Sequence, residues 1–418
     1  MKKIIAGLLA FTMLFGAADV IVPDMVNTVS VSASEFVLGN GLIYSIGPSG
    51  VSITSCSTSV TEMEIPSEIK GFSVVCIANG AFKNCKLLKK VTIPDSVTRI
   101  NENAFYNCKS LTAVTIPDSV TYIGDNAFYC CTSLASASIS NSAKEIGIEA
   151  FAGCTSLTEI KIPDSITEIK LSAFRECTSL TRVTIPDSVK YIRNSAFWEC
   201  ESLKELKIPD SVIAIEAWAF YGCKSLKELR IPDSVTDISS SAFENCTSLT
   251  KVTLGKSVTK ICSLQFGGCT SLTSVTIPDS VTEIGSEAFR DCTSLKYIAI
   301  PASVKKIDSW AVGYYLDEHY SSTKIEDFII YGEKNSAAEK YATNNRFTFK
   351  ALDERPFEKG DADRDGSITS ADALNVLQMI TGSATMTDEQ KNLADLDGDG
   401  QVTSADALII LQIVTGLK

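Results

Sequence analysis

Hydrophobic positions in the middle of the chain follow a strand-and-turn pattern rather than a helical one. In residues 156–163 the apolar side chains read L-x-x-I-x-I, which places alternate residues on one face of a short strand. Pro163 then favours a turn, and a second apolar group at Ile166, Ile169 and Phe174 follows it. One such unit cannot bury both apolar groups by itself, so we expect neighbouring units to stack into a continuous core.

The unit recurs every 23 residues, with the tetrapeptide Ile-Pro-Asp-Ser at positions 93, 116, 162, 185, 208, 231 and 277. A Phe column and a Cys column keep the same period. The Phe column is Phe82, Phe105, Phe128, Phe151, Phe174, Phe197, Phe220, Phe243, Phe266 and Phe289. The Cys column is Cys85, Cys108, Cys131, Cys154, Cys177, Cys200, Cys223, Cys246, Cys269 and Cys292. A period of this length indicates a solenoid, here mainly β and irregular, with about 11 rungs.

The Cys column holds ten of the 14 cysteines of the chain. We interpret its members as small buried hydrophobic side chains, because free cysteine commonly takes that role. The alternative is partial disulfide formation, most readily between Cys56 and Cys76 near the amino end, because an exported protein meets oxidising conditions.

The amino end has the layout of a secretory signal peptide. Lys2 and Lys3 precede an apolar run at positions 4–15, which is too short to span a bilayer. We expect cleavage after Ala33 and export, and no membrane span after removal of the signal, because no later stretch approaches 18 apolar residues. A retained membrane anchor is the alternative.

Composition excludes several classes of function. The 418 residues carry a formal net charge of −12, which disfavours a nucleic-acid partner. The chain has a single histidine, His319, so a Ser–His–Asp triad or a multi-histidine metal site is not expected.

The carboxyl-terminal segment is acidic and contains two matching 12-residue stretches, 361–372 and 395–406. Each has Asp at positions 1, 3, 5 and 12 and Gly at position 6. Ca²⁺ takes six to eight oxygen ligands, and a loop with this spacing can wrap around one ion. The spacing predicts two Ca²⁺ sites, one formed by Asp361, Asp363, Asp365, Ser367, Thr369 and Asp372, the other by Asp395, Asp397, Asp399, Gln401, Thr403 and Asp406.

Two resemblances to known families follow from these motifs. The unit SLTxVTIPDSVTxIGxxAFxxCT resembles the BspA-type leucine-rich repeat of bacterial secreted and surface proteins, over about residues 60–312. Two loops, each followed by a helix (predicted at 371–381 and 405–415) and repeated after 34 residues, resemble a type I dockerin over about residues 358–418. The second resemblance implies a small all-α calcium-binding domain.

The dockerin resemblance also implies a partner, namely the cohesin module of a scaffoldin or cell-surface anchoring protein in a cellulosome. In that family, positions 10, 11, 17 and 18 of each segment select the cohesin. Here they are Ser370, Ala371, Leu377 and Gln378, then Ser404, Ala405, Leu411 and Gln412. Because the two sets are identical, either face can dock, with the module rotated by half a turn. The alternative for the two leucines is helix packing against the other half.

The resulting domain organisation has six parts. They are a signal peptide (1–33), an amino-terminal cap with an irregular first rung (34–80), the solenoid (81–312), a carboxyl-terminal cap (313–352), a linker (353–359) and the dockerin (360–418). Within the cap we expect a strand at 328–331, a helix at 336–344 and a strand at 347–350.

No catalytic constellation stands out in the solenoid, so we expect a secreted, non-catalytic cellulosome subunit. Repeat proteins commonly work by presenting a long surface, here to plant cell-wall polysaccharide or to another protein. Trp198, Trp218 and Tyr221 form a candidate ligand surface, on which flat aromatic rings can stack against sugars. The alternatives are that these rings merely cover the solenoid edge, and that the chain is a glycoside hydrolase of unrecognised type.

Overall fold

The computed structural model describes residues 35–364, 368–415 and 417. The predicted signal peptide therefore lies outside the described residues, as do Asp365 and Ser367 of the first predicted calcium loop.

Short strands dominate the described chain. They are β1 (Glu35–Val37), β2 (Leu42–Gly47), β3 (Gly50–Cys56), β4 (Glu62–Glu64), β5 (Glu68–Ile69), β6 (Phe72–Ile77), β7 (Lys90–Thr92), β8 (Arg99–Ile100), β9 (Ala113–Thr115), β10 (Tyr122–Ile123), β11 (Ser136–Ser138), β12 (Glu145–Ile146), β13 (Glu159–Lys161), β14 (Glu168–Ile169), β15 (Arg182–Thr184), β16 (Tyr191–Ile192), β17 (Ala214–Ile215), β18 (Glu228–Arg230), β19 (Asp237–Ile238), β20 (Lys251–Thr253), β21 (Lys260–Ile261), β22 (Ser274–Thr276), β23 (Glu283–Ile284), β24 (Tyr297–Ala299), β25 (Lys306–Ile307), β26 (Tyr314–Leu316), β27 (Ser322–Lys324), β28 (Ile329–Gly332) and β29 (Thr348–Ala351).

Most repeats contribute two strands, one to each of two separate parallel ladders. The three-residue strands pair with a register of one repeat, as when Ile160 of β13 lies beside Val183 of β15. The two-residue strands pair in the same way on the other side, as when Ile192 of β16 lies beside Ile215 of β17. The 23-residue period therefore brings equivalent residues of successive turns together, and the predicted solenoid fold is confirmed.

The core consists of columns of identical side chains. Neighbouring rings of the Phe column are stacked with centroids 4.9 to 5.8 Å apart and planes within 14° of parallel. Every ring in the column is fully buried. A buried aromatic side chain removes a large apolar area from water, so the Phe column supplies much of the stability of the stack.

The Cys column lies beside the Phe column and is buried along its whole length. From Cys108 to Cys292, each thiol donates to the carbonyl oxygen of the Phe 26 residues earlier, with Sγ···O distances of 3.1 to 3.5 Å. All 14 cysteines are free thiols in the structure. The regular column thus uses cysteine as a small apolar residue with one weak donor.

The alternative disulfide between Cys56 and Cys76 is ruled out by strand register. Ser52 of β3 pairs with Cys76 of β6, so Cys56 lies four residues farther along its strand. That offset amounts to about 13 Å, whereas disulfide-bonded cysteines have Cα atoms less than about 7 Å apart. The Cys56 thiol instead lies against Cys85, the first member of the Cys column.

Two left-handed residues turn the chain in most repeats. One of them stands two positions before each Phe of the Phe column, and its φ lies between 53° and 67° in every turn from Gly80 to Trp310. In the turn of Trp310, Val312 takes the place of the Phe. Asn and Gly adopt this conformation readily, but a bulky side chain there is unusual. Trp218 and Trp310 are the two tryptophans in this column.

The ends of the solenoid differ from its middle. At the amino end, β2 and β3 form a hairpin that continues the ladder of two-residue strands through β6 and β8. At the carboxyl end, β24, β28 and β29 extend the ladder of three-residue strands, and helix α1 (Ala337–Asn345) packs over them. With these additions the solenoid has about 13 turns, more than the 11 predicted from the repeats alone. Residues 314–324, which have no repeat signature, form the antiparallel hairpin β26–β27.

The carboxyl-terminal segment is helical. After a short 3₁₀ turn (Leu352–Glu354) come helices α2 (Ser370–Ile380), α3 (Asp388–Ala394) and α4 (Ser404–Val414). Helices α2 and α4 begin and end one residue earlier than predicted, and α3 was not predicted. The core between them is small: Ala362, Ala373, Val376, Ala394, Ala407 and Ile410.

Candidate functional site

The two acidic loops precede helices α2 and α4 and bring carboxylates together. In the first loop, side-chain oxygens of Asp361, Asp363 and Asp372 lie within 4.8 Å of one another. In the second loop, the same holds for Asp395, Asp397 and Asp399. Sequence spacing alone predicted both clusters, because a tight loop aims alternate side chains toward its centre.

The second loop is described over its whole length and is shaped by its own aspartates. The Asp395 carboxylate accepts hydrogen bonds from the backbone N–H groups of Gly398 (2.8 Å) and Gly400 (3.2 Å). Asp399 accepts one from the Gln401 N–H at 2.7 Å. Gly398 and Gly400 both have positive φ, which allows the chain to reverse within so few residues.

The final aspartate of each loop caps the helix that follows. Asp406 accepts from the N–H groups of Leu396 and Thr403, both at 2.8 Å, and Asp372 accepts from those of Asp363 (3.0 Å) and Thr369 (2.7 Å). Burial acts to raise the pKa of Asp406, but these N–H donors outweigh it, so the pKa lies below its usual range. Asp406 is therefore a buried anion.

The structure divides the predicted ligands into two groups. Asp372 and Asp406 both accept backbone hydrogen bonds, but Asp372 also belongs to the first carboxylate cluster, whereas Asp406 lies outside the second. The hydroxyl groups of Thr369 and Thr403 act as helix caps and accept from Ala371 N–H (3.1 Å) and Ala405 N–H (3.2 Å).

Both clusters fit a hard divalent cation. Ca²⁺–oxygen distances are about 2.3–2.6 Å, so two oxygens on opposite sides of one ion are about 5 Å apart. Carboxylate oxygens within 4.8 Å of one another match that span. The donors are all oxygen atoms, which Ca²⁺ prefers over nitrogen or sulfur. When bound, the ion would neutralise carboxylates that otherwise repel one another.

The segment predicted as a linker makes close contacts with the first loop. The ring of Phe357 contacts two guanidinium groups, that of Arg355 at 4.8 Å and that of Arg364 at 4.3 Å. Arg364 also pairs with Glu389 of α3 at 2.8 Å. Glu358 forms an ion pair with Lys251 of the solenoid at 2.8 Å. Sequence reasoning missed these contacts, which depend on how three distant segments come together.

Helices α2 and α4 pack through one face and expose another. Val376 and Ile410 fill the interface, so Leu377 and Leu411 are not needed for helix packing. The side chains of Leu377 and Leu411 are 40% and 37% exposed. Ser370, Ala371, Ser404 and Ala405 are also exposed, and Gln378 and Gln412 are half-buried. The packing alternative for the two leucines is therefore not supported.

Sequence reasoning also missed part of this surface. Leu374 and Leu408, three residues before the predicted leucines, are exposed on the same helix faces. Ile380 and Val414 extend the two stripes by another turn. The signal was available in the sequence, because these residues repeat with the same 34-residue offset as the loops.

Two of the three aromatic residues predicted as a ligand surface, Trp198 and Tyr221, stack on each other. Trp198 and Tyr221 are stacked with centroids 5.7 Å apart, and the Arg175 guanidinium lies 4.5 Å from the Trp198 ring. Arg175 and Tyr221 come from the turns before and after Trp198, so both faces of the indole are occupied. The Tyr221 hydroxyl accepts from Asn245 at 2.9 Å. Trp218 stands apart, with 45% of its surface exposed.

The structure thus combines a stacked repeat solenoid with a small domain built from two acidic loop–helix units. The profile of the BspA type leucine-rich repeat region matches residues 75–204 and 190–315 in six copies, and that of the dockerin type I domain matches residues 359–414. The chain belongs to the BspA-type leucine-rich repeat proteins and carries a carboxyl-terminal type I dockerin domain. Both domain types are non-catalytic.

Solved structures of bacterial repeat proteins are similar to this chain. A leucine-rich cell surface protein from Faecalibacterium prausnitzii A2-165 is 31% identical, with 68% of this chain and 94% of that one covered and a TM-score of 0.43. A leucine-rich repeat protein from Bacteroides ovatus ATCC 8483 is 26% identical, with 76% and 99% covered and a TM-score of 0.48. No curated protein matches the chain. Among the described helices, none has the length and apolar character needed to cross a membrane.

Proposed function

We propose that this protein is an exported, non-catalytic cellulosome subunit. Its dockerin binds two Ca²⁺ ions and docks onto the cohesin module of a scaffoldin or anchoring protein. The solenoid then presents a rigid surface to a second partner, either another protein or a plant cell-wall polysaccharide. The dockerin type supports calcium-dependent cohesin docking, and leucine-rich repeats commonly bind proteins.

The observation that carries the docking proposal is the duplicated apolar stripe beside the two acidic loops. Exposed leucines in register on two equivalent helices are costly in a monomer unless a partner covers them. The recognition residues of the two halves are identical, so the module offers the same surface twice. Calcium at the loops would hold each helix at the angle that exposes its stripe.

The proposal predicts that single substitutions are tolerated and the double one is not. Leu377→Asp or Leu411→Asp alone should weaken binding to the matching cohesin by about two-fold, because one of two equivalent orientations remains. The double variant should lose about 100-fold or more, because a charge is then buried in either orientation. Surface plasmon resonance of the full chain over a panel of cohesin modules, with millimolar calcium, measures both effects.

Leu171→Asp is a matched control, because Leu171 is 41% exposed but lies in the solenoid. Its affinity for cohesin should equal that of the unmodified chain. Calcium-independent binding, or no capture by any cohesin, would contradict the docking proposal. Full loss in one single variant would restrict docking to one face.

The solenoid is the part of the chain that would meet the second partner. Neither domain type is catalytic, so we propose binding rather than hydrolysis of a polysaccharide. The stacked Trp198 and Tyr221 do not support a sugar platform at that point, since the faces of Trp198 are covered. A polysaccharide partner therefore requires a different aromatic surface.

A further inference from the structure

A groove lies where the last solenoid turn meets the cap helix α1. Its volume is about 450 Å³, within the range of small-molecule sites. One wall comes from residues 305–310 around β25, and the other from α1. Its lining includes Lys305, Asp308, Trp310, Lys340 and Asn344.

Trp310 is the tryptophan with both an available ring and an adjoining groove. It is 46% exposed, and within the described residues no aromatic ring or cation is stacked on it. Trp198, by contrast, is covered on both faces. Trp218 has the same left-handed backbone and nearly the same exposure as Trp310, but it does not line this groove.

The backbone makes Trp310 an unusual choice for its position. It has φ of 54°, in a column where most other turns have Gly, Asn, Ser or Glu. A large side chain in the left-handed region is unfavourable. The exposed part of this tryptophan makes no apolar contact with the core that would offset that cost. A tryptophan that keeps nearly half of its surface exposed in a strained backbone conformation beside a groove points to a ligand.

The groove is positively charged in a strongly acidic chain. Lys306 is neutralised by Glu283 (2.7 Å) and Asp308 (2.9 Å). The Lys305 ammonium group donates to the carbonyl of Ala302 at 2.7 Å and keeps its charge. The Lys340 side chain has no ion pair among the described residues, and it is exposed on α1 near the amide of Asn344. The unpaired Lys340 ammonium and the Asn344 amide therefore line the groove together with Lys305 and the Trp310 ring.

We propose that this groove binds a carboxylate-bearing glycan, with one uronate ring lying flat on Trp310. Lys305 and Lys340 pair with sugar carboxylates, and Asn344 bonds to hydroxyl groups. A sugar ring suits the site better than an acidic peptide, because the groove is open and the exposed Trp310 ring offers a flat apolar face. The inference rests on the proposed polysaccharide role of the solenoid and narrows it to acidic glycans.

The test measures binding of trigalacturonate to the full chain by isothermal titration calorimetry, at calcium levels that saturate the dockerin. The unmodified chain and Trp218→Ala should bind equally well, since Trp218 shares the exposure and backbone of Trp310. Trp310→Ala should lose about ten-fold or more in affinity, because the stacking surface is gone. Lys340→Ala, an exposed change on a helix surface, should lose several-fold and reduce the salt dependence.

Each outcome decides a separate point. If Trp310→Ala binds trigalacturonate as tightly as the unmodified chain and keeps its melting temperature, the groove is not the binding site. That result would not contradict a polysaccharide role of the solenoid. No binding of trigalacturonate, with binding of a neutral xylo-oligosaccharide, would overturn the acidic class. No binding of either sugar would overturn the polysaccharide role as well. Trp310-dependent binding of a glutamate-rich peptide, without sugar binding, would assign the groove to protein.

Discussion

Removal of calcium is expected to unfold the helices of the dockerin and leave the solenoid intact. The six buried apolar residues of that domain include four alanines, so burial contributes little stability. Each loop also holds at least three carboxylates within 4.8 Å, which repel one another without a cation. We infer that metal binding supplies most of the folding free energy, as in other small metal-dependent domains.

Two spectroscopic signals separate the domains. All three tryptophans lie in the solenoid, so fluorescence reports on that domain alone. Far-ultraviolet circular dichroism near 222 nm reports mainly on the helices, of which α2, α3 and α4 lie in the dockerin and α1 in the solenoid cap. Excess EDTA should remove most of the helical signal, with no change in tryptophan fluorescence, and calcium should restore it. Retention of the helical signal in EDTA would contradict the prediction.

A pair of variants tests which carboxylates matter. Asp395→Ala removes a member of the second cluster and should raise the calcium concentration needed for folding about ten-fold or more, because a charged ligand is lost. Asp388→Ala removes the same charge from the exposed first turn of α3, outside both loops. It should leave the calcium midpoint within about two-fold. Equal effects of the two changes would assign the result to net charge.

The repeat core could be predicted from the sequence because the 23-residue period determines which residues of neighbouring turns meet. A Phe every 23 residues must meet its neighbours once the strands pair with that offset, as the stack from Phe82 to Phe289 shows. The calcium loops could be predicted for a similar reason, since each is a local feature of 12 residues. Helix α3 could also have been found, because Thr387 and Gln390 form a capping box.

Features that depend on distant segments could not be predicted. The cover over Trp198 requires that Arg175 and Tyr221 point along the stack axis, and periodicity does not reveal that direction. The contacts of Phe357 depend on where Arg364 of the first loop lies relative to the preceding segment. The groove beside Trp310 could not be predicted, because its second wall is helix α1, which is distant in the sequence.

The Cys column makes the solenoid sensitive to alkaline pH. Burial raises the pKa of Cys177 and Cys246 to about 12, and it raises the pKa of Cys154, Cys200, Cys223, Cys269 and Cys292 well above that of a free thiol. Burial is also the main cause of the raised pKa of Cys131, whereas the pKa of Cys108 is raised first by its hydrogen bond to Cys131 and second by burial. Nine thiols therefore stay protonated in the folded state at pH values where the unfolded chain loses those protons.

The sign of the effect follows from proton linkage. A raised pKa gives stability that is fully present below the unfolded value, near pH 9, and lost as the pH rises above it. Each thiol then contributes a loss of about 1.4 kcal/mol per pH unit, so nine contribute about 12 kcal/mol per pH unit. That slope is as large as the whole stability of a typical domain, about 5–15 kcal/mol.

We therefore expect the urea midpoint of tryptophan fluorescence, measured under reducing conditions, to be flat from pH 7 to 8 and to fall steeply between about pH 9 and 10. The triple variant Cys154→Ala, Cys177→Ala and Cys200→Ala should reduce the slope by about one third, whatever its own stability. The triple variant Val189→Ala, Val212→Ala and Val235→Ala creates comparable cavities in buried positions and should keep the full slope. Equal slopes in the two variants would show that other groups, such as tyrosine or lysine, control alkaline unfolding. A reduced slope in the cysteine variant alone would establish the column as a chain of buried protonated thiols.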